Sequence, residues 1–520
     1  MEQNEIYSAP VAKTDLKKRV LALVHAILLL FVSYGIVYAL YGVFDRNGYP
    51  LLFLLGIVAL FALTLTFGLL NHGRLGAHAI IALLFGLVAG LFVWINGGVS
   101  LFGYVYLNVA ALSYAYFALA LFENHNRDLK NGVLFLDLLK ATFVYPFLSF
   151  TALFSSLFQR SKDDRKLGRG VLFVFLGVVL ALVLGIIAVA LLSYDPKFKA
   201  LFTFDWDWDN VPEILLRLLF TVPLGALLFG AFTSSQKKKL PNMSTPENAA
   251  KIFTRLQKLP AVVLLLPIDV LIVIYGLFFF TQWETYMSAF SGVLPASFTA
   301  AEYARSGFFE LCAVAAINSI LGVVLSVFLR QTARVTIVLK QIANTLLALS
   351  TLILIATALS KMFLYIRRFD LTVFRLIAST ILVLIAIGFA ASLLAQWIQR
   401  VKVLPVLTVC VAVLLLVVPF LNVRGRISKY NVDQYLLREE QKVSDNRIDV
   451  DYLLYDLGSA AIPDAIRLYE SGKVTGEQAS QLERCLKARV RQLNDRSMFD
   501  RSLADIRAKK ALEAVYGKAQ

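Results

Sequence analysis

Apolar runs of about twenty residues recur along most of this chain, and they constrain its fold more than any other feature. A helix needs about that many residues to cross the hydrocarbon core of a bilayer. Lipid offers no partner to an unpaired backbone amide, so each run must satisfy its own hydrogen bonds as a helix. Hydrophobic residues make up 58% of the 520 residues and charged residues only 17%, whereas a soluble protein is about half apolar and a quarter charged. The sequence therefore predicts an all-α, polytopic transmembrane helical bundle.

Eleven runs are long and apolar enough to be spans. They lie at residues 20–43, 51–70, 77–95, 101–122, 170–193, 214–233, 260–281, 307–329, 341–361, 371–397 and 403–422. Around them the chain divides into five parts. These are a cytoplasmic N-terminal segment (1–19), a first four-helix transmembrane block (20–131), an interfacial segment with a basic loop (132–169), a seven-helix transmembrane block (170–422) and a small soluble helical tail (423–520).

The charges of the loops predict the direction of the spans. Cytoplasmic loops of membrane proteins carry an excess of Lys and Arg. With the N-terminus inside, the inner segments of the first 131 residues hold seven Lys and Arg and the outer ones hold only Arg46. Between residues 162 and 402 the inner segments hold fifteen and the outer ones six. We therefore expect a cytoplasmic N-terminus.

The number of spans depends mainly on how residues 132–169 are interpreted. The stretch 132–159 is apolar but holds Asp137, Lys140 and Pro146, with basic residues at both flanks. A crossing would put one basic flank on the wrong side, so we interpret it as an interfacial or re-entrant amphipathic element at the inner face. Eleven spans place the tail outside, and a crossing at 132–159 would place it in the cytoplasm.

The tail has the pattern of a small helical module. A capping box at Thr475 and Gln478 predicts a helix that runs to about Leu493, and a second helix follows Ser502. The tail is the expected surface for a protein partner.

Polar groups inside a span are costly, so each is a candidate functional residue. Asp269 is the most prominent, because it lies near the middle of the seventh run just after Pro267. A proline in a helix frees a backbone carbonyl one turn earlier, which favours a small polar site. Asn318 lies at a similar depth in the eighth run and is the expected partner of Asp269. Two interpretations stay open, a proton- or cation-binding carboxylate and a hydrogen bond that joins two helices.

A second candidate cluster precedes the eighth run at the outer face. It consists of Glu302, Tyr303, Arg305 and Glu310. Arg305 can pair with either glutamate at the membrane interface. A structural salt bridge is the expected role, and a catalytic carboxylate is the alternative.

The net charge of +16 would suggest nucleic-acid binding in a soluble protein. Here the positive charge follows the cytoplasmic loops, and no nucleic-acid partner is expected. The three cysteines form no C-x-x-C pair, and no metal or cofactor is expected. Catalytic motifs such as the P-loop, H-E-x-x-H and G-x-S-x-G do not occur, which argues against an enzyme without excluding one.

Several short motifs resemble a family of bacterial multi-pass membrane proteins. The most specific is Ala301-Glu302-Tyr303-Ala304-Arg305-Ser306-Gly307-Phe308-Phe309-Glu310-Leu311, and the others are Leu364-Tyr365, Phe369-Asp370-Leu371-Thr372, Ile427-Ser428-Lys429-Tyr430-Asn431-Val432, Asp451-Tyr452-Leu453-Leu454 and Ala461-Ile462-Pro463. The family is the domain of unknown function 4173, with the sister family 4153. The resemblance covers residues 165–515 and assigns no activity. Asp370 stands where the family pattern has glycine.

Two classes of function fit these observations. The first is a non-enzymatic integral membrane protein in the cytoplasmic membrane of a bacterium, acting in transport, sensing or envelope assembly. The second is a membrane-embedded enzyme that acts on lipid or envelope intermediates at the outer leaflet through the cluster around Glu302. In both classes, the lipid bilayer is the expected main partner of the protein.

Overall fold

The computed structural model describes residues 8–44, 49–97, 101–125, 133–158, 211–240, 247, 251, 254–281, 308–329, 334–398, 401–442 and 446–517. The protein is 87% helical, and ten helices within these residues are long and apolar enough to cross a membrane. They coincide with ten of the eleven predicted runs, which confirms the all-α polytopic bundle. The run at 170–193 lies outside the described residues.

The chain forms two compact units. Unit 1 is built from four long helices, α1 (Ser8–Phe44), α2 (Pro50–Leu70), α3 (Ala77–Asn96) and α4 (Leu101–Leu121), with α8 (Val211–Gln236) beside them. Helix α1 packs against α2 and α8, and α3 packs against α2 and α4. We call the two ends of the unit inner and outer after the predicted orientation, with the start of α1 at the inner end.

A broken helical segment joins the inner end of unit 1. It consists of α5 (Val133–Leu139), a π-helical turn (Lys140–Val144), α6 (Tyr145–Leu148) and α7 (Ala152–Leu157). Pro146 explains the break, because it lacks an N–H and its ring crowds the preceding turn. The sequence-based interpretation of residues 132–169 as interfacial or re-entrant stays a prediction, since the structure contains no bilayer.

Helix α8 holds this segment through a very close backbone approach. A Cβ atom built on Gly230 would lie 2.3 Å from the carbonyl oxygen of Pro146. The neighbouring Ser234 Oγ lies 2.8 Å from the Tyr145 carbonyl oxygen and 2.7 Å from Ser149 Oγ. The absence of a side chain at Gly230 therefore lets the broken segment rest on α8.

Unit 2 contains the other five of the ten described spans. They are α9 (Ala261–Thr281), α10 (Phe308–Phe328), α11 (Arg334–Phe369), α12 (Val373–Trp397) and α13 (Val403–Val417). Helix α11 is central, because it packs against α9, α10 and α12. Two apolar clusters fill these contacts, one around Leu311 and Leu354 and one around Leu265 and Leu347.

The tail is helical and belongs mainly to unit 2. It consists of α14 (Val423–Glu440), α15 (Ile462–Glu470), α16 (Gly476–Asp495) and α17 (Leu503–Tyr516). Buried residues from all four helices share one apolar core, which Leu371, Val373 and Leu376 of the α11–α12 turn extend. Gln478 donates to the Ile448 carbonyl oxygen at 3.2 Å, so this side chain holds the module together.

Residues 496–504 belong to unit 1. The short 3-10 turn Met498–Asp500 packs against α2, and Ser502 lies against Gly97 at the end of α3. Both contacts are at the outer end of unit 1.

We expect Gly230→Ala to destabilise the protein by about 1–3 kcal/mol, because the new methyl group would force two backbones apart. Thermal unfolding in detergent measures this change. Gly35→Ala is the matched control, since nothing lies within 4 Å of a Cβ at Gly35. Equal unfolding temperatures for the two variants would contradict the close approach.

Candidate functional site

A buried ion pair lies within the broken segment of unit 1. The Nζ atom of Lys140 is 3.2 Å from Oδ1 of Asp137, and their side chains are 2% and 0% exposed. The two residues are three positions apart, where α5 passes into the π-helical turn, so their side chains share one face. Charged groups of this kind are almost never fully buried unless they are paired.

Polar groups from α6 and from the turn after α4 complete the surroundings of Lys140. Its ammonium group donates to the Asn124 carbonyl oxygen at 3.0 Å and lies 5.5 Å from the centre of the Tyr145 ring. The Asn124 side-chain amide donates to the Tyr145 hydroxyl at 2.7 Å. Burial lowers the pKa of Lys140, and the charge of Asp137 acts in the opposite direction.

A pair of half-buried histidines lies near this site, and His125 directly follows Asn124, whose carbonyl oxygen accepts from Lys140. His78 Nδ1 lies 3.0 Å from the hydroxyl of Tyr116, and the rings of His78 and His125 are 4.4 Å apart. Both histidines are half-buried, whereas Tyr116 is buried and its hydroxyl lies within the field of Asp137. Tyr116 therefore contacts His78 directly, and it is linked to Asp137 only by an electrostatic interaction.

The structure places the predicted Asp269 site differently. Asn318 is fully buried, but its side chain accepts from the Tyr275 hydroxyl at 2.7 Å and donates to Thr351 Oγ1 at 2.9 Å. Asp269 and Pro267 lie on the exposed side of α9. Asp269 lies on the side of α9 away from the buried Asn318 of α10, and among the described residues Tyr275 is the α9 side chain that bonds to Asn318.

Only Glu310 of the predicted outer-face cluster is described, since Glu302, Tyr303 and Arg305 lie outside the described residues. Glu310 is exposed in the first turn of α10. Its charge acts on the buried Lys361 of α11. Glu310 of the neighbouring helix therefore supplies a negative charge that favours the charged form of Lys361.

The tail docks on the turn between α11 and α12. The backbone N–H of Leu371 donates to Asn431 Oδ1 at 2.8 Å, and Asn431 Nδ2 donates to the Leu371 carbonyl oxygen at 2.9 Å. The Val373 N–H donates to the Tyr452 hydroxyl at 2.7 Å. Side chains of the tail therefore satisfy backbone groups that the two helix ends leave unpaired.

Asp370 shapes this turn. Its φ of 64° lies in the left-handed region that glycine favours, which fits the glycine of the family pattern. Its carboxylate pairs with Arg438 of α14 at 2.6 Å. Burial raises the pKa of Asp370, and Arg438 opposes this effect. Aspartate at this position is less favourable than glycine for the backbone conformation, but its carboxylate forms an ion pair with the tail.

Sequence reasoning noticed Asp137 and Lys140 but used them only to argue against a crossing. An opposite-charge pair at helical spacing just before Pro146, within an otherwise apolar stretch, was the available signal. The histidines give no such signal, because His78 and His125 are 47 positions apart in the chain.

We expect removal of one member of the ion pair, by Asp137→Leu or Lys140→Met, to cost about 3–5 kcal/mol, because the other charge stays buried without its counter-charge. The double variant should cost much less than the sum of the two. Thermal unfolding of all four proteins in detergent measures the coupling. Additive losses would mean that the pair is not an energetic unit.

We expect Asn431→Asp to loosen the tail, because it replaces the donor to the Leu371 carbonyl oxygen by an acceptor, at a cost of about 1–3 kcal/mol. Limited proteolysis of the detergent-solubilised protein reports this as faster cleavage of the tail. Asn494→Asp makes the same change at an exposed position and should leave the cleavage rate unaltered. Similar rates in both variants would argue against docking through Asn431.

Comparison with known proteins places the chain in a family. The profile of the family described as Domain of unknown function (DUF4153) matches residues 26–468, which is most of the chain. No curated protein and no solved structure matches it. The resemblance to the sister family 4173 is not supported, and the match begins earlier than the motifs indicated, within α1. The protein is an integral membrane protein that belongs to the DUF4153 family.

Proposed function

We propose that this protein is a proton-linked transport protein and that the Asp137–Lys140 pair is its proton-exchanging site. The observation that carries the proposal is the nearly complete burial of both charges at a break in a helical segment. Ionisable groups buried in membrane proteins mark ion and proton pathways. Transporters form their sites at interrupted helices, and π-helical turns are frequent at functional sites.

The neighbouring groups supply a route for the proton. His78 and His125 are half-buried at the inner end, where imidazoles exchange protons with water near neutral pH. Tyr116 contacts His78 and interacts electrostatically with Asp137, so in this proposal it is the intermediate group. Burial lowers the pKa of Lys140, while the Asp137 carboxylate stabilises the charged ammonium group. In the proposed exchange the proton passes from the ammonium group of Lys140 to the carboxylate of Asp137, which leaves a neutral amine beside a neutral acid.

The second candidate function is a membrane-embedded enzyme that acts on lipid or envelope intermediates at the outer leaflet. It stays a prediction, because three of its four residues lie outside the described part of the chain and Glu310 has a counter-charge in Lys361. The location in the cytoplasmic membrane of a bacterium is also a proposal. So is a protein partner bound by the tail.

Proton flux into proteoliposomes that contain a pH-sensitive dye tests the transport proposal. Under an imposed membrane potential, we expect the wild-type protein to acidify the lumen several-fold faster than empty liposomes do. Asp137→Asn should abolish the difference, because an amide cannot take up the proton. Asp495→Asn, which alters an exposed acid of the tail, should retain the wild-type rate.

A pH-difference infrared spectrum of the same proteins separates transport from sensing. A carboxyl signal that titrates in the wild type and is missing in Asp137→Asn assigns proton exchange to this residue. That signal together with no flux would favour the sensing alternative. Unchanged flux in Asp137→Asn would refute the proposed site.

A further inference from the structure

A cavity opens between α11 and α12, at the end of unit 2 where α11 begins and α12 ends. Its volume is about 340 Å³, and small-molecule sites have volumes of about 300–1,000 Å³. Two hydrogen bonds join the helices here. Asn344 Nδ2 donates to Ser392 Oγ at 3.1 Å, and Thr345 Oγ1 donates to Gln396 Oε1 at 3.0 Å. Thr345 and Gln396 line the cavity, so two bonded helices form it rather than a loop.

The lining contributed by α11 is polar on one side and apolar on the other. Residues four positions apart in a helix share a face. Gln341 and Thr345 form a polar strip, and an apolar strip beside it consists of Val338, Ile342 and Leu346. A ligand that lies along α11 in this cavity therefore needs a polar side and an apolar side.

The cavity lies at the boundary between the hydrocarbon and the headgroups. The apolar run of α11 begins at residue 341 and that of α12 ends at residue 397, so Gln341 and Trp397 both lie at this boundary. Trp397 is 87% exposed, as is usual for an indole ring at the membrane interface. Gln341 is exposed as well, and a carboxamide at the edge of the hydrocarbon is costly unless a polar group bonds to it. The phosphate and glycerol esters of lipids occupy this depth.

A cation precedes the cavity on the same face of α11. Arg334 is exposed and lies one helical turn before Val338. It lies about 10 Å before Gln341 along the helix axis, which places it in the headgroup layer. A guanidinium group pairs well with phosphate oxygens. In the predicted orientation this is the inner end of unit 2, and the cytoplasmic leaflet carries anionic lipids.

We propose that this cavity binds one anionic phospholipid of the inner leaflet, with its phosphate at Arg334 and its glycerol esters at Gln341 and Gln396. Carboxamide N–H groups donate hydrogen bonds, and ester oxygens accept them. The apolar strip holds the beginning of an acyl chain, and the rest of the chain lies in the bilayer. The site belongs to unit 2 and does not depend on proton transport through unit 1.

Native mass spectrometry of the detergent-solubilised protein tests the proposal. The delipidated protein is mixed with equal amounts of phosphatidylglycerol and phosphatidylcholine that carry the same acyl chains. We expect one phosphatidylglycerol per chain, at an occupancy several-fold higher than that of phosphatidylcholine. Arg334→Gln should abolish this preference, because it removes the charge that pairs with the anionic headgroup. Arg491→Gln makes the same change at an exposed position of the tail and should retain it.

A second pair of variants tests the cavity itself. Val338→Trp fills it and should reduce the occupancy of phosphatidylglycerol several-fold. Leu339→Trp is the matched control, because Leu339 is exposed to almost the same degree, 48% against 46% for Val338, but is not part of the lining. Both side chains are exposed, so neither substitution disturbs a buried contact. Gln341→Leu should also weaken binding, since it removes a donor to the lipid esters.

Three outcomes would overturn the proposal. Equal occupancy by the two lipids would show that the charge of the headgroup is not recognised. Equal binding of phosphatidylglycerol by Val338→Trp and Leu339→Trp would place the lipid elsewhere on the protein. Efficient displacement of the lipid by free glycerol 3-phosphate would identify a soluble phosphate ester as the ligand.

Discussion

Polar groups of this protein that lie inside the bilayer have no water to bond to, and this constraint determines their positions and partners. In a bilayer, a charge or amide that leaves water must find its partner within the protein. The Asp137–Lys140 pair, the Asn318 side chain between Tyr275 and Thr351, and the Ser234 hydroxyl against the broken segment all meet this requirement. The contacts of Asn318 and Ser234 also join helices that are far apart in the sequence, so the same constraint that makes them costly to break defines which helices meet.

The sequence predicted the spans well because their signal is local. Ten predicted runs coincide with helices, and the main difference is α11, which has 36 residues where the run covers residues 341–361. Hydropathy detects only the apolar centre of that helix. Its charged ends carry no proline or glycine that would stop it, so the helix continues beyond the run.

The candidate site was harder to predict, because depth in a membrane does not determine direction. Asp269 and Asn318 were predicted at similar depths, yet α9 is apolar around almost its whole circumference and its sequence does not reveal which face is buried. Asp137 and Lys140 were visible in the sequence, but the histidines that accompany them come from two other parts of the chain.

The turn between α11 and α12, on which the tail docks, shows the reverse case. Asn431 and Tyr452 were noticed as family motifs, and only the structure shows that both bind the turn at Leu371 and Val373.

The length of α11 has a mechanical consequence for the tail. At 1.5 Å per residue its 36 residues make a rod of about 54 Å, whereas the hydrocarbon core is about 30 Å thick. The turn on which the tail docks therefore lies at one end of a helix much longer than the hydrocarbon core is thick. If a helix of this length tilts by about ten degrees more, its end moves sideways by about 9 Å. Small changes in bilayer thickness, which alter the lean of such helices, are thereby magnified at the soluble module.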